Sequence, residues 1–232
     1  MTYREYPAPA QLRGLAECGW SNVFPRAAEV AILPDGCMDL LWNGAALLVA
    51  GPDTAPHPYR PPSGLPAAGL RFAPGRLPAL LGVPAAALRD QRVPLDELHP
   101  GPARRTVARL ELGAPPAEVL LELALGLPGP RPEHGVPAVI GALRRGHSAA
   151  ETAGALGWTT RSLHRHCLAW FGYGPSVLRR ILRFRSAVAL LGAGVPPAEA
   201  AARTGYADQP HLSREVRALA GRAPRQLAAT RG

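Results

Sequence analysis

Apolar residues in the first third of the chain fall in short runs that alternate with turn-forming residues. The runs span 30–33, 38–42, 46–49 and 65–72. Each run has the length of a strand, and Asn43-Gly44 between two of them predicts a hairpin. Pro34-Asp35-Gly36 and Gly51-Pro52-Asp53 have the composition of further turns. This pattern predicts a small β-rich domain at the start of the chain.

The spacing of apolar residues becomes helical after Arg76. Trailing helices are predicted near 77–81, 85–90, 103–112 and 116–127. Residues 127–135 then hold three prolines and two glycines, a composition that no helix tolerates. We therefore predict a linker over 128–135, between a first domain at 1–127 and a second domain at 136–232.

The second domain has the apolar pattern of an all-helical bundle. Seven helices are predicted, at about 137–145, 149–156, 160–171, 176–192, 197–203, 209–220 and 224–230. In the longest of them, the apolar residues from Val177 to Leu191 recur every three or four positions and form one continuous stripe. The predicted fold class is α+β: a β-rich domain with trailing helices, followed by a seven-helix bundle.

This second domain contains an internal repeat. Leu163, Arg165, Gly172 and Pro175 recur 49 residues later as Leu212, Arg214, Gly221 and Pro224. The opening glycines, Gly157 and Gly205, are 48 residues apart. In each copy a short helix of small residues precedes the glycine, and an amphipathic helix follows it. Each copy thus predicts a helix-turn-helix motif, and 176–192 joins the two.

Charge is concentrated in the same region. The chain of 232 residues has a formal net charge of +9, but residues 1–139 carry 12 Arg against 13 acidic residues. Residues 140–232 carry 14 Arg against 4 acidic residues. A tandem helix-turn-helix on a strongly basic segment indicates a protein that binds duplex DNA.

Helical wheels separate a buried face from an exposed face on the second helix of each motif. Leu163, Cys167 and Trp170 share one side of 160–171, and Leu212, Val216 and Leu219 share one side of 209–220. The opposite sides carry the candidate base-reading residues: Arg161, His164, Arg165, Gln209, Pro210, His211 and Arg214. Arg can form two hydrogen bonds to guanine, and Gln can pair with adenine. Candidate phosphate contacts are Ser148, Thr159, Thr160, Arg179, Arg180, Ser213 and Arg225.

The two motifs and their spacing resemble the AraC/XylS family of bacterial transcription regulators over residues 137–228. The resemblance rests on Gly157-x-Thr-x-Arg161, Gly172-x-x-Pro175, Gly205-Tyr206-x-Asp208-Gln209 and Gly221-x-x-Pro224. The resemblance implies that two recognition helices enter successive major grooves. It also implies contact with RNA polymerase, and it favours a role as a transcription activator over a role as a repressor. The chain departs from the family where Cys167 and Val216 replace core phenylalanines and where Pro210 lies early in a recognition helix.

The first domain is similar to an N-terminal region of actinobacterial family members, a region regarded as a sensor. The similarity rests on Trp20, on Leu33-Pro-Asp-Gly-Cys-Met-Asp-Leu40, on Gly51-Pro52 and on Gly69-Leu-Arg-Phe-x-Pro-Gly75. It implies a domain that binds a small-molecule effector or forms a homodimer. The candidate pocket residues are Trp20, Cys37, Trp42, Arg71 and Phe72, and core scaffolding is the alternative role for all five.

The three cysteines, Cys18, Cys37 and Cys167, have no metal-ligand spacing. Cys37, beside Asp35 and Asp39, is expected to lack a nearby base or cation that would lower its pKa, so its thiol is expected to be unreactive. A redox switch between Cys18 and Cys37 is the alternative.

No apolar run reaches the ~18 residues of a membrane span, and the first residues lack a signal-peptide pattern. We expect a reduced cytoplasmic protein without metal or cofactor.

The sequence therefore favours a DNA-binding regulator that is not an enzyme. Two alternatives remain at this stage. One is a DNA-repair alkyltransferase, which would require a cysteine nucleophile activated by zinc. The other is a regulator that binds DNA constitutively, with a first domain that serves only protein contacts.

Overall fold

The computed structural model describes residues 3–23, 29–60, 64–129 and 135–228. Residues 130–134 of the predicted linker lie outside this part, as do residues 229 and 230 at the end of the last predicted helix. Within the described residues, no helix is both long enough and apolar enough to cross a lipid bilayer.

An antiparallel sheet forms the centre of the first domain. The described strands are β1 (Arg4–Pro7), β2 (Ala16–Val23), β3 (Val30–Ile32), β4 (Met38–Trp42), β5 (Leu47–Ala50), β6 (His57–Tyr59), β7 (Pro66–Phe72) and β8 (Arg92–Pro94). Six of them form one sheet in the order β1-β2-β7-β4-β5-β8, and β3 pairs with β6 separately. The Asn43-Gly44 hairpin is confirmed, because β4 and β5 pair around it and Gly44 has a φ of 90°.

Helices cover one face of this sheet. They are α1 (Leu77–Leu81), α2 (Leu95–Leu98), α3 (Pro100–Glu111) and α4 (Pro116–Leu125). Alternate residues of the strands, among them Leu40, Val49 and Phe72, point into the layer between sheet and helices and are fully buried there. Alternation along a strand places the intervening residues, such as Asp39 and Arg71, on the opposite face.

The sequence pattern missed several elements of this domain. Four strands, β1, β2, β6 and β8, were not predicted, because two are only three residues long and β2 reads Ala-Glu-Cys-Gly-Trp-Ser-Asn-Val without a clear alternation. The helix predicted at 85–90 is a single 3-10 turn at Ala85–Ala87. It cannot continue as a helix, since Asp90 adopts a left-handed conformation with a φ of 59°.

The second domain matches its predicted helices closely. They are α5 (Gly135–Arg144), α6 (Ala149–Ala155), α7 (Thr160–Phe171), α8 (Pro175–Gly192), α9 (Pro197–Arg203), α10 (Gln209–Ala220) and α11 (Pro224–Ala228). The bounds of α7, α9 and α10 agree with the prediction at both ends. Caps explain this accuracy, because Thr159 and Asp208 each accept a hydrogen bond from the first turn of the helix that follows.

Helix α8 runs through both halves of this domain. Its first half contributes Leu178, Ile181 and Leu182 to a core that also contains α5, α6 and α7. Its second half contributes Phe184, Ala187 and Leu191 to a separate core with α9 and α10. Each helix-turn-helix unit thus has its own core, and a single helix belongs to both.

The first domain packs against the end of α7 and the middle of α8. Arg89 donates a hydrogen bond to the carbonyl oxygen of Gly172, with an N–O distance of 3.3 Å. Glu17 of β2 forms a bidentate salt bridge with Arg185 of α8, one bond of which measures 2.9 Å. The glycine at the end of α7 lies so close to the first domain that a Cβ atom there would be 2.7 Å from the ring of Pro52.

The repeat offers a matched test of this packing. Gly172 and Gly221 end the two recognition helices in the same left-handed conformation, with φ values of 84° and 64°. A Cβ atom at Gly221 would meet no described heavy atom within 4 Å. We expect Gly221→Ala to lower the free energy of unfolding by about 1–2 kcal/mol, which is the backbone strain of a side chain in this conformation. Gly172→Ala should cost clearly more, because it also pushes Pro52 away.

Urea unfolding of both variants and of the unmodified protein measures the two costs. Equal losses in the free energy of unfolding would contradict the docked arrangement, because the two helix ends differ in their contact with the first domain.

Candidate nucleic-acid interface

The first helix-turn-helix unit consists of α6 and α7, joined by a turn at Gly157. This glycine has a φ of 68°, which favours a residue without a side chain. The predicted faces of α7 are confirmed, since Leu163, Cys167 and Trp170 are at most 7% exposed. The candidate base-reading residues of this unit, Arg161, His164 and Arg165, are exposed. The unit thus presents two exposed guanidinium groups on one helical face.

The second unit consists of α9 and α10, joined at Gly205 with a φ of 74°. Its inward face is confirmed by the burial of Leu212, Val216 and Leu219. Gln209, Pro210 and Arg214 are exposed. Pro210 falls in the first turn of α10, where a missing N–H leaves no helical hydrogen bond unmade.

His211 differs from the other candidates of the second unit because it is only partly exposed. Its backbone N–H donates to the Asp208 carboxylate at 2.6 Å, and its ring meets the Tyr206 ring edge-on with centroids 5.2 Å apart. The ring also accepts a hydrogen bond at Nδ1 from the Ala207 N–H at 3.4 Å, so this bond and the Tyr206 contact hold the ring against the turn between α9 and α10. The structure therefore gives His211 a packing role at the rim of the predicted reading surface.

Each unit also has its own contact between an aromatic ring and a neighbouring side chain. In the first unit, His166 stacks on Trp170 at 4.9 Å and Trp158 packs edge-on against His166 at 4.6 Å. In the second unit, the guanidinium of Arg183 lies 4.2 Å above the ring of Tyr206. The first arrangement joins two residues one turn apart on α7 with Trp158 just before that helix, and the second joins α8 to the turn before α10. Neither arrangement was predicted.

The candidate phosphate contacts lie mostly at helix starts. Ser148 begins α6 with a capping box, in which its hydroxyl accepts from the N–H of Glu151 and the Glu151 carboxylate accepts from the N–H of Ser148. Thr159 begins α7 in a similar way. Thr160 and Arg225 are exposed, Ser213 is partly buried, and Arg179 donates to the carbonyl oxygen of Gly146 at 3.4 Å.

Arg180 requires a correction among these candidates. Its guanidinium forms two hydrogen bonds to the carboxylate of Glu215, at 2.6 and 3.2 Å. This pair joins α8 to α10 and neutralises the charge that a phosphate contact would use. Arg180 is therefore a structural link between the joining helix and the second recognition helix.

The five candidate pocket residues of the first domain do not line one cavity. Trp42 and Phe72 lie in the core beneath the helices, at 8% and 0% exposure. Trp20 and Arg71 lie together on the opposite face of the sheet. Cys37 is buried near the boundary with the second domain, where the Arg185 guanidinium is 3.3 Å from its sulfur. Only Trp20 and Arg71 are brought together.

Trp20 and Arg71 belong to a polar cluster on that second sheet face. The indole N–H of Trp20 donates to Asp39 at 2.8 Å, and Arg71 lies 3.6 Å from Asp39 and 3.3 Å from Glu5. Burial raises the pKa of Asp39 to about 6, against the lowering effect of the Arg71 charge. The cluster combines an aromatic ring, a cation and a carboxyl group whose pKa is raised to about 6.

The three thiols are less acidic than a free cysteine. Burial raises the pKa of Cys18 to about 11 and that of Cys167 to about 12, and raises that of Cys37 well above its ordinary value. The predicted lack of a cation near Cys37 was wrong, because Arg185 approaches from 148 residues away in the chain. Burial outweighs that charge, so the thiol still lacks the activation that an alkyl-transfer nucleophile requires.

Two family models match the chain. Residues 152–230 match a helix-turn-helix domain, and residues 4–94 match a domain of unknown function, DUF6597. No curated protein is significantly similar in sequence.

The solved structures with a similar fold include ToxT from Vibrio cholerae O395. It is 9% identical, with a TM-score of 0.50, over 91% of this chain and 98% of that chain. Unsaturated fatty acid bound wild-type ToxT from V. cholerae strain SCE256 gives a TM-score of 0.46 at 10% identity, over 90% of each chain. The first of these comparisons agrees with a two-domain architecture that ends in tandem helix-turn-helix units.

The raised pKa of Asp39 predicts a pH dependence of stability. Because the folded protein holds this proton more tightly than the unfolded chain, its contribution is complete below pH 3.8 and is lost as the pH rises through 6. We expect stability to fall over that interval by at most about 1.4 kcal/mol per pH unit. Asp39→Asn should remove this slope.

Urea unfolding between pH 3.5 and about 7 measures how the free energy of unfolding changes with pH. Asp96→Asn, at an exposed position of α2, serves as the control and should retain the slope of the unmodified protein. Curves for Asp39→Asn that run parallel to those of the unmodified protein would contradict the assignment.

Proposed function

We propose that this protein regulates transcription by reading a specific DNA sequence. The proposal starts from the two family matches, to DUF6597 over residues 4–94 and to a helix-turn-helix domain over residues 152–230. The two recognition helices, α7 and α10, would enter successive major-groove segments on one side of the duplex. The observation that supports this most is the pair of exposed polar faces, each held on its own core and joined through α8.

The proposed reading residues differ between the two units. Arg161 and Arg165 of α7 offer two groups that can each form paired hydrogen bonds to guanine, whereas α10 offers Gln209 and Arg214. A site read in this way is asymmetric, with two different segments. One chain carries both reading helices, so a homodimer is not required for a complete contact.

Simultaneous replacement of Arg165 and Arg214 by Ala should strongly weaken specific binding. Each arginine is expected to contribute about 1–3 kcal/mol of discrimination, so the double variant should lose about 2–6 kcal/mol of its preference for the selected site over unrelated DNA. A mobility-shift assay checks this with a duplex that the protein itself selects from a random pool. The control is Arg105→Ala, an exposed arginine on α3 of the first domain. Unchanged specific binding by the double variant would contradict the proposal.

We also propose that the first domain controls this binding through its contact with the end of α7. Among the described residues, the polar links across the boundary include Arg89 to the carbonyl of Gly172, Arg185 to Glu17 and Arg185 to the sulfur of Cys37. Burial favours the neutral form of Glu17, but the hydrogen bonds and charge of Arg185 outweigh it and lower the pKa of this carboxyl. A ligand that shifts β2 would alter this salt bridge, and with it the position of α8, the helix that joins the two units.

Replacement of Glu17 by Gln should loosen this boundary. A hydrogen bond between charged groups is worth about 1.5–3 kcal/mol, so local opening should become at least about tenfold more frequent. Hydrogen exchange of the backbone amides at Phe171–Tyr173 measures how often this boundary opens. Glu29→Gln is the matched control, since Glu29 pairs with Arg60 inside the first domain. Equal exchange in the two variants would contradict coupling through Glu17.

The effector and the direction of regulation are further parts of the proposal. The polar cluster of Trp20, Asp39 and Arg71 is the part of the first domain that we propose for a small polar ligand. A thermal-shift screen separates a sensor from a constitutive regulator, because a ligand of the folded state raises its melting temperature.

Activation and contact with RNA polymerase rest on the family resemblance. A reporter placed behind the selected DNA tests them by the rise or fall of transcription.

A further inference from the structure

A basic groove lies between the two helix-turn-helix units. It has a volume of about 520 Å³, and its floor is formed by α8. One rim is the end of α5 with the turn at Gly146, and the other rim is the end of α9 with the turn at Gly205. Five arginines line it: Arg144, Arg145, Arg179, Arg183 and Arg203. None of the residues that line the groove is acidic.

Two of these arginines hold the groove together. Arg179 and Arg183 lie one turn apart on α8, and they donate hydrogen bonds to the carbonyl oxygens of Gly146 and Gly205 respectively. The ring of Tyr206 further orients the guanidinium of Arg183. These contacts place a cation beside the last carbonyls of α5 and of α9, an arrangement that stabilises helix ends. They also leave part of each guanidinium open to the groove.

The other three arginines are available for a partner. Arg144 and Arg145 are exposed and, within the described part of the chain, form no salt bridge. Arg203 pairs only with Glu199, four residues earlier on the same exposed helix surface. Such a pair contributes little in water and exchanges readily for a stronger anion. The groove therefore concentrates positive charge that the fold itself does not use.

The position of the two rims shows which surface of the domain the positively charged groove adjoins. Residues 144–147 lead directly into α6, the first helix of the first unit, and Thr204-Gly205 leads into α10, the second recognition helix. In a helix-turn-helix, the first helix crosses the phosphate backbone and the start of the second enters the major groove. Both rims are thus next to the surfaces that would face DNA, and the groove lies between them.

We propose that this groove binds phosphate groups of the DNA backbone between the two major-groove segments. The inference rests on the proposed function and assigns a role to Arg144, Arg145 and Arg203 that their sequence positions did not suggest. Such contacts add affinity without sequence preference. They would also set the distance between the two reading helices by fixing the backbone that passes between them.

The test compares Arg144→Ala/Arg145→Ala with Arg104→Ala/Arg105→Ala, a second adjacent and exposed arginine pair, on α3. We expect the groove variant to lose affinity for the selected duplex and for unrelated DNA by the same factor. The slope of log affinity against log salt should become shallower by about 0.9 for each phosphate that the groove no longer neutralises. The α3 variant should retain the slope, and thermal unfolding checks that both variants fold. An unchanged slope in the groove variant overturns the inference.

Two further measurements identify the source of the phosphate. Neutral methylphosphonate linkages placed between the two segments should weaken binding of the unmodified protein clearly more than binding of the groove variant, which has already lost two of the five arginines. Tight binding of inorganic pyrophosphate to the groove, with no effect of the neutral linkages, would overturn the assignment to DNA and indicate a free phosphorylated solute. If the unmodified protein selects no sequence at all, the proposed function fails. If it selects one but the groove variant keeps its slope, only the groove assignment fails.

Discussion

Helix α8 is the constraint on which the rest of the second domain depends. Its apolar stripe divides into two halves, Leu178–Leu182 in one core and Phe184–Leu191 in the other. Three of its arginines act as tethers in different directions. Arg180 binds Glu215 of α10, Arg183 binds the turn at Gly205, and Arg185 binds Glu17 of the first domain. An uninterrupted helix between two cores sets the separation and relative rotation of the two reading helices.

The same helix also holds the first domain. Arg185 is the only one of these tethers that leaves the second domain, among those in the described residues, and it lies about half a turn beyond Arg183. A change in the first domain that reaches Glu17 therefore acts on the element that positions both units. The second link, from Arg89 to Gly172, acts on the first unit alone. Control through these contacts would alter the spacing of the two recognition helices, whereas the side chains that read the bases would stay the same.

The sequence predicted the second domain far better than the first, and the reasons are physical. Repeated glycines, caps and a continuous apolar stripe define α7 to α10 locally, so their bounds and inward faces could be predicted. In the first domain, β2 joins the sheet through pairing with β7, some fifty residues later, and its own pattern does not show this. The links of Arg180 and Arg185 also depend on distant partners, Glu215 and Glu17. Such contacts arise from tertiary structure, and local periodicity does not contain them.

We propose that one chain reads two DNA segments at a spacing fixed by α8, and hydroxyl-radical footprinting on a duplex selected by the protein is the decisive experiment. We predict two different protected segments whose centres lie about 10–10.5 base pairs apart on one face of the helix. Insertion of half a helical turn between them should abolish specific binding. One continuous protected segment, or a two-fold symmetric site that tolerates the insertion, would contradict this geometry.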